Sequence, residues 1–272
     1  MNPSLPRRLL AELLGSALLV AVVVGSGIAA QQLSPDDIGL QLLENSMATV
    51  FGLAALILMF GPVSGAHFNP VVSLADWFLG RRAGRGLSLT EVGAYAVAQI
   101  AGGIGGAVLA NLMFDVDQAI STKDRATSGH FVAEIVATTG LVALIFALVR
   151  SDRGALAAPA VGGYIGAAYW FTSSTSFANP AVTIGRVFSD TFAGIAPGSV
   201  APFVLAQLVG LVVGVLLILA LYPDAGDTST PPSDPSPARP PRPATARWRW
   251  WSRPGPRQSP SRPRTPPQHP MA

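Results

Sequence analysis

"SGAHFNPVVS" occupies residues 64–73, directly after the apolar run "TVFGLAALILMFG" of residues 49–61. An Asn-Pro step ordinarily marks a turn at a surface, yet this one stands beside a segment suited to lipid. The pattern returns as "STSFANPAV" (174–182), so that Asn69 and Pro70 match Asn179 and Pro180. Two further landmarks recur in the same order. "AELLGSALLVA" (11–21) reads like "AEIVATTGLVA" (133–143), pairing Glu12 with Glu134, and "AQIAGGIGG" (98–106) reads like "AQLVGLVVG" (206–214), pairing Gln99 with Gln207. The offsets are 122, 110 and 108 residues. Three landmarks in register are a duplication.

Composition says what was duplicated. The chain is 50% hydrophobic and only 12% charged, against roughly 25% charged residues in a soluble domain. Apolar runs long enough to cross a bilayer, about 20 residues each, lie at about 9–30, 39–61, 91–113, 131–150, 155–173 and 198–222. A signal peptide would have a shorter apolar stretch and a small-residue cleavage site, so the first run reads as an uncleaved helix. Each half then holds three spans, an odd number, and the second copy must enter from the opposite face. That is an inverted repeat about an axis in the membrane plane. Arg7, Arg8, Arg81, Arg82, Arg85, Arg150 and Arg153 fall on the side of the termini, against Lys123, Arg125 and Arg186 on the other. This bias predicts cytoplasmic termini and an inner-membrane location.

The Asn-Pro steps fall between the second and third spans of each half. Each opens a segment, "NPVVSLADWFLG" (69–80) or "NPAVTIGRVFSD" (179–190), that is apolar but too short to cross. Asn is a preferred N-cap and Pro fits the first helical turn, so each segment reads as a half-helix, one entering from each face. Irregular backbone at membrane depth survives only where protein buries it or water wets it. "SGAHF" and "STSFA" would therefore run extended to the midplane, with the backbone of Gly65, Ala66, His67, Thr175 and Phe177 lining a pore. Two facing half-helix N-termini, each carrying roughly half a positive charge, make a barrier to cations. The fold class predicted is an all-α membrane protein, six transmembrane helices plus two re-entrant half-helices in an inverted repeat.

Glu12 and Glu134 sit about one turn into their spans, where an ionisable group needs a function. They could relay protons, or they could accept hydrogen bonds from the unpaired N–H groups of the re-entrant loops, with Gln99 and Gln207 serving similarly. The glycines at 102, 103, 105, 106, 210 and 214 read as close-packing positions. The channel domain spans residues 1–222, with repeats at about 7–113 and 131–222. Residues 223–272 hold fifteen of the 24 prolines and eight arginines, the composition of a disordered tail. Its "RWRWWSR" (247–253) reads either as an anchor on an anionic leaflet or as a spacer. No cysteine is present and the three histidines are scattered, so no metal site, cofactor or catalytic constellation is expected, and nothing folded accompanies the tail to bind nucleic acid.

With these residues in hand, the chain resembles the aquaporin family of water and small-solute channels, the major intrinsic proteins, over about residues 7–222. The resemblance rests on "SGAHFNP", the two Asn-Pro boxes, and the duplicated Ala-Glu and Ala-Gln helices. It implies a right-handed bundle around a pore, a homotetramer in the lipid bilayer, and passage of water and small uncharged solutes. The boxes would be Asn69-Pro70-Val71 and Asn179-Pro180-Ala181, the first departing from the family's usual Asn-Pro-Ala. The family's filter carries an arginine directly after the second box, and here that position is Val182. Gapless counting puts the other filter positions at Thr49, Ala167 and Ser176, with Phe51 two residues from the first. Such a filter has no bulky aromatic, histidine or arginine and should be wide. Arg186, one turn beyond Val182, would supply a vestibule charge, or face lipid headgroups or a loop. By analogy with bacterial members of the aquaglyceroporin type carrying the same change, the solutes expected are glycerol-like molecules and metalloids such as arsenous acid or methylated arsenicals. The competing reading is a secondary transporter coupled to ions or protons through Glu12 or Glu134.

Overall fold

The structure, a computed structural model, describes residues 3–81, 84 and 86–222. The Pro/Arg-rich tail and its "RWRWWSR" cluster lie outside the described residues, as do Arg82 and Arg85. The elements are helices: α1 (Leu5–Leu33), α2 (Ile38–Ser64), α3 (Pro70–Gly80), α4 (Leu89–Met113), α5 (Ser128–Arg150), α6 (Ala157–Phe171), α7 (Pro180–Gly185) and α8 (Pro197–Leu221). Five of them, α1, α2, α4, α5 and α8, are long and apolar enough to cross a membrane. The sixth span, α6, has 15 residues and rises about 22 Å. A 3-10 turn, Gly154–Leu156, prolongs it at one end.

The packing repeats with the sequence. In the first half α1 lies against α4 and α2, in the second α5 lies against α8 and α6, and α2 meets α6 across the boundary between halves. Glycines permit the closest approaches. A Cβ added at Gly102 or Gly106 would stand 2.2 Å from the Leu13 carbonyl oxygen or 2.1 Å from that of Ala17, inside any contact distance. Gly210 does the same for α5 and α8, with 2.7 Å to the Ile135 oxygen. Gly105 faces open space, so it is no packing position.

The two short helices begin as their sequences predict. Asn69 caps α3 by accepting from the Val71 N–H at 3.0 Å, and Asn179 caps α7 by accepting from Ala181 at 2.9 Å and Val182 at 3.3 Å. Their ends differ. The α3 helix runs to Gly80, whereas α7 stops at Gly185 and passes through a 3-10 turn, Arg186–Phe188, into extended backbone. The half-helix expected over 179–190 is therefore half that length. Gly185 packs where a Cβ would meet the Gly103 backbone at 2.6 Å, and the Arg186 side chain folds back to the Ala193 carbonyl. Both contacts turn the chain away from a continuing helix.

Candidate functional site: a pore between two re-entrant loops

The loops preceding α3 and α7 are held by the same device. Glu12, fully buried, accepts from the Ser64 hydroxyl at 2.5 Å, the backbone N–H groups of His67 at 3.0 Å and Phe68 at 2.7 Å, and the Gln99 amide at 2.7 Å. Glu134, equally buried, accepts from the Ser174 hydroxyl at 2.6 Å, Phe177 N–H at 2.9 Å, Ala178 N–H at 2.8 Å and the Gln207 amide at 2.7 Å. Each carboxylate thus has four donors, about the number of lone-pair sites it offers. Behind them, Gln99 also reaches the Ser73 hydroxyl at 3.2 Å and Gln207 that of Thr183 at 2.9 Å. Of the two roles open to these carboxylates from sequence, the geometry matches the loop-holding one.

What they hold is strained backbone. Ala66, Phe68, Thr175, Ser176 and Ala178 all have positive φ, between 47° and 62°, a region costing a non-glycine residue roughly 1–2 kcal/mol. Gly65 occupies the position matching Thr175 at φ 92°. This conformation turns N–H groups toward the glutamates. The carbonyls of Gly65, Ala66, His67, Ser176 and Phe177 accept no hydrogen bond among the described residues. All five residues line one cavity that threads both halves.

At the midplane the two loops are cross-braced. The Asn69 amide donates to the Ala178 carbonyl at 2.8 Å, and the Asn179 amide donates to the Phe68 carbonyl at 2.7 Å. Each Nδ2 retains a second N–H, and both asparagines line the cavity. Pro70, Val71, Pro180 and Ala181 are buried behind it as helix starts. Thr175 is half-buried and does not line it.

The predicted filter residues divide. Thr49, Ser176 and Val182 line the cavity. Phe51 is 65% exposed, which decides the second span in favour of Thr49. Ala167 is on the outward, exposed face of α6, and that helix meets the cavity through Ala157, Val161, Ile165 and Tyr169 instead. Counting without gaps fails here because α6 has only one face toward the lumen, and 167 is out of phase with it. An aromatic is consequently present after all. The Tyr169 hydroxyl lies 3.1 Å from the Thr49 hydroxyl, so the ring is tied along the wall. An arginine is present too, since Arg186 lines the cavity one turn beyond Val182. Asp76, Tyr169 and Ile165 escape sequence reasoning; Asp76 alone carries a signal, standing as far past Asn69 as Arg186 past Asn179.

Two inverted re-entrant loops, sealed by buried glutamates and braced by paired asparagines, wall this cavity. The sequence model of the Major intrinsic protein family matches residues 1–176. The chain belongs to this family. It is 49% identical over 215 residues to aquaglyceroporin AqpS of Rhizobium meliloti, covering 79% of this chain and 89% of that one. It is 30% identical over 251 residues to the glycerol uptake facilitator protein of Pseudomonas aeruginosa, covering 79% and 87%. The aquaglyceroporin of Plasmodium falciparum shares the fold, with a TM-score of 0.57 at 20% identity over 82% of this chain and 98% of that one. As a major intrinsic protein, the chain is a multi-pass membrane channel for water and small solutes, and its two halves line one cavity.

Proposed function

We propose that this major intrinsic protein is a wide-filter, passive channel that passes uncharged solutes of glycerol size and larger, including undissociated arsenous acid and methylated arsenicals. The single observation that carries the reading is Val182: a short apolar side chain lines the cavity beside Thr49 and Ser176, where the family's arginine would project into the lumen. The tether between Tyr169 and Thr49 keeps the Tyr169 ring against the wall. The likeness to a protein named aquaglyceroporin supports the same solute class. Outward-facing Leu10, Phe51, Met59 and Leu216 are exposed, which supports burial in lipid or against neighbouring subunits. We read the assembly as a homotetramer in the inner membrane with both termini cytoplasmic, following the arginine bias.

Coupled transport finds no support in the carboxylates. With four donors on each, a proton on Glu12 or Glu134 would displace a hydrogen bond that a buried backbone N–H needs. The test is arsenous acid uptake into proteoliposomes with and without an imposed pH gradient. Uptake is expected to rise linearly with concentration, to stop at equal concentrations on the two sides, and to ignore the gradient. Accumulation against a concentration difference, driven by the pH gradient, would replace the channel by a transporter.

A further inference from the structure

Asp76 and Arg186 stand seven residues after Asn69 and Asn179, at pseudo-equivalent places in the inverted repeat. Both are buried, at 3% and 2% exposure, and both line the cavity. The inversion sends them to opposite ends. Asp76 lies toward the face of the termini, with Oδ2 accepting from the Leu87 N–H at 2.7 Å. Arg186 lies toward the other face. The mostly apolar pore is therefore charged toward both ends, with a carboxylate at one and a guanidinium at the other.

Each charge makes one hydrogen bond to protein among the described residues, and the guanidinium has the more groups left over. Arg186 donates through Nε to the Ala193 carbonyl, and its guanidinium carbon sits 3.5 Å from the centre of the Phe177 ring. Neither Nη1 nor Nη2 donates to any acceptor among the described residues. A guanidinium carries five N–H donors in a fixed fork, and a buried cation with most of that fork unpaired is costly unless the cavity supplies acceptors. Ser176, adjacent to Phe177, lines the same cavity, and its buried hydroxyl also has no partner among the described residues. These are two independent unpaired polar groups at one end of one pore.

The surroundings add positive charge without competing for the place. The Arg125 guanidinium lies 5.2 Å from the same Phe177 ring, but it donates to the Gly194 carbonyl through Nε and to Phe192 through Nη2. Lys123 reaches the Phe192 carbonyl at 2.9 Å. Desolvation, then the positive charges of Arg125 and Arg186, bring the Lys123 ammonium down to about 8, with Asp190 offsetting only part. The neighbouring carboxylate, Asp190, is engaged by the N–H and hydroxyl of Thr122. Inward from Arg186, the half-helix N-termini at Asn69 and Asn179 keep the potential positive to the midplane.

We infer that the Arg186 fork and the Ser176 hydroxyl form an oxyanion subsite in this half of the pore, which captures the oxygens of small ionised oxyacids. The subsite has no counterpart at the other end, where Asp76 occupies the equivalent place and repels the same ligands. The inference rests on the cavity being a conducting pore, and extends its ligands from uncharged solutes to their conjugate anions. A fork of two N–H groups fits two oxygens of a phosphate-like or carboxylate-like group, whereas a neutral polyol gains less from it.

The test uses inorganic phosphate on full-length channel in proteoliposomes, present on both sides so that orientation does not matter. Water flux under a sucrose gradient is read in phosphate and in chloride of equal ionic strength, and each protein is normalised to its own chloride rate. Native channel is expected to lose roughly half its flux when phosphate reaches a Kd on the order of millimolar. Arg186→Gln removes the charge and the fork, and its flux should be the same in both salts. Arg186→Lys keeps the charge but not the fork and should need several-fold more phosphate, as should Ser176→Ala, which stands in if the arginine variants fail to insert. Equal native flux in phosphate and chloride overturns the subsite, and so does unchanged inhibition in Arg186→Gln and Ser176→Ala. Because water is the readout, a pore too narrow for glycerol would sink the wide-filter reading while leaving this inference standing.

Discussion

Glu134→Ala is expected to abolish the folded channel, with no monodisperse protein recovered after solubilisation. The substitution leaves the Phe177 and Ala178 N–H groups, the Ser174 hydroxyl and the Gln207 amide without their acceptor in a site with no solvent exposure. Gln207 keeps its bond to Thr183, but each of the other three unsatisfied buried groups costs roughly 1–3 kcal/mol, and together they take up much of the stability of a typical fold, about 5–15 kcal/mol. It also releases the left-handed residues Ser176 and Ala178, whose strain the carboxylate offsets. Glu134→Gln separates this account from proton relay. An amide offers one acceptor oxygen and turns its NH2 toward donors, so the isostere should also unfold the loop and lower the thermal midpoint in detergent markedly. A Glu134→Gln protein of native stability that had lost only a transport activity would show the carboxylate to be a relay. Glu12→Ala should repeat the result, because the first half is built the same way.

Val182→Arg is expected to close the pore to large solutes while water continues to pass. The Val182 N–H meets the Asn179 side chain at 3.3 Å, and the valine side chain lines the lumen. An arginine there would extend into the lumen opposite Thr49 and Tyr169. Each added 1.4 kcal/mol of barrier lowers a rate about tenfold, and a solute that must shed a hydrogen-bond partner and squeeze past a guanidinium meets at least that, so glycerol flux should fall roughly tenfold or more. Arg186 lies four residues on and is buried, so the two like charges repel, and recovery of monodisperse Val182→Arg protein is checked before flux is read. Water requires no such width. Equal glycerol flux through native and Val182→Arg channels, read by proteoliposome reswelling, would show that another position sets the pore size.

Much of this architecture is readable in the sequence because symmetry doubles every signal. One Asn-Pro step is a common turn; two at matching places in an odd-numbered repeat have to be half-helices. The same doubling pairs Glu12 with Glu134 and Gln99 with Gln207, and each glutamate meets the loop and the glutamine of its own half. Signals without a repeated partner are lost. Gapless counting misplaces Ala167 because only the packing of α6 on α2 decides which of its residues face the lumen. The early end of α7 depends on Gly185 meeting Gly103 and on Arg186 folding back to Ala193, contacts between segments far apart or in a loop without periodicity. Tyr169 is invisible for the first reason, and the free fork of Arg186 for the second. Asp76 is legible in principle, through its shared offset with Arg186, but opposite charges at equivalent positions do not look like a repeat.

The wide passive pore is tested most directly by stopped-flow light scattering of proteoliposomes holding the native channel under a glycerol gradient. Two phases are expected, a fast shrinkage as water leaves and then a reswelling as glycerol enters, the second absent from empty liposomes. Shrinkage alone, with water moving and glycerol retained outside, would contradict the wide filter.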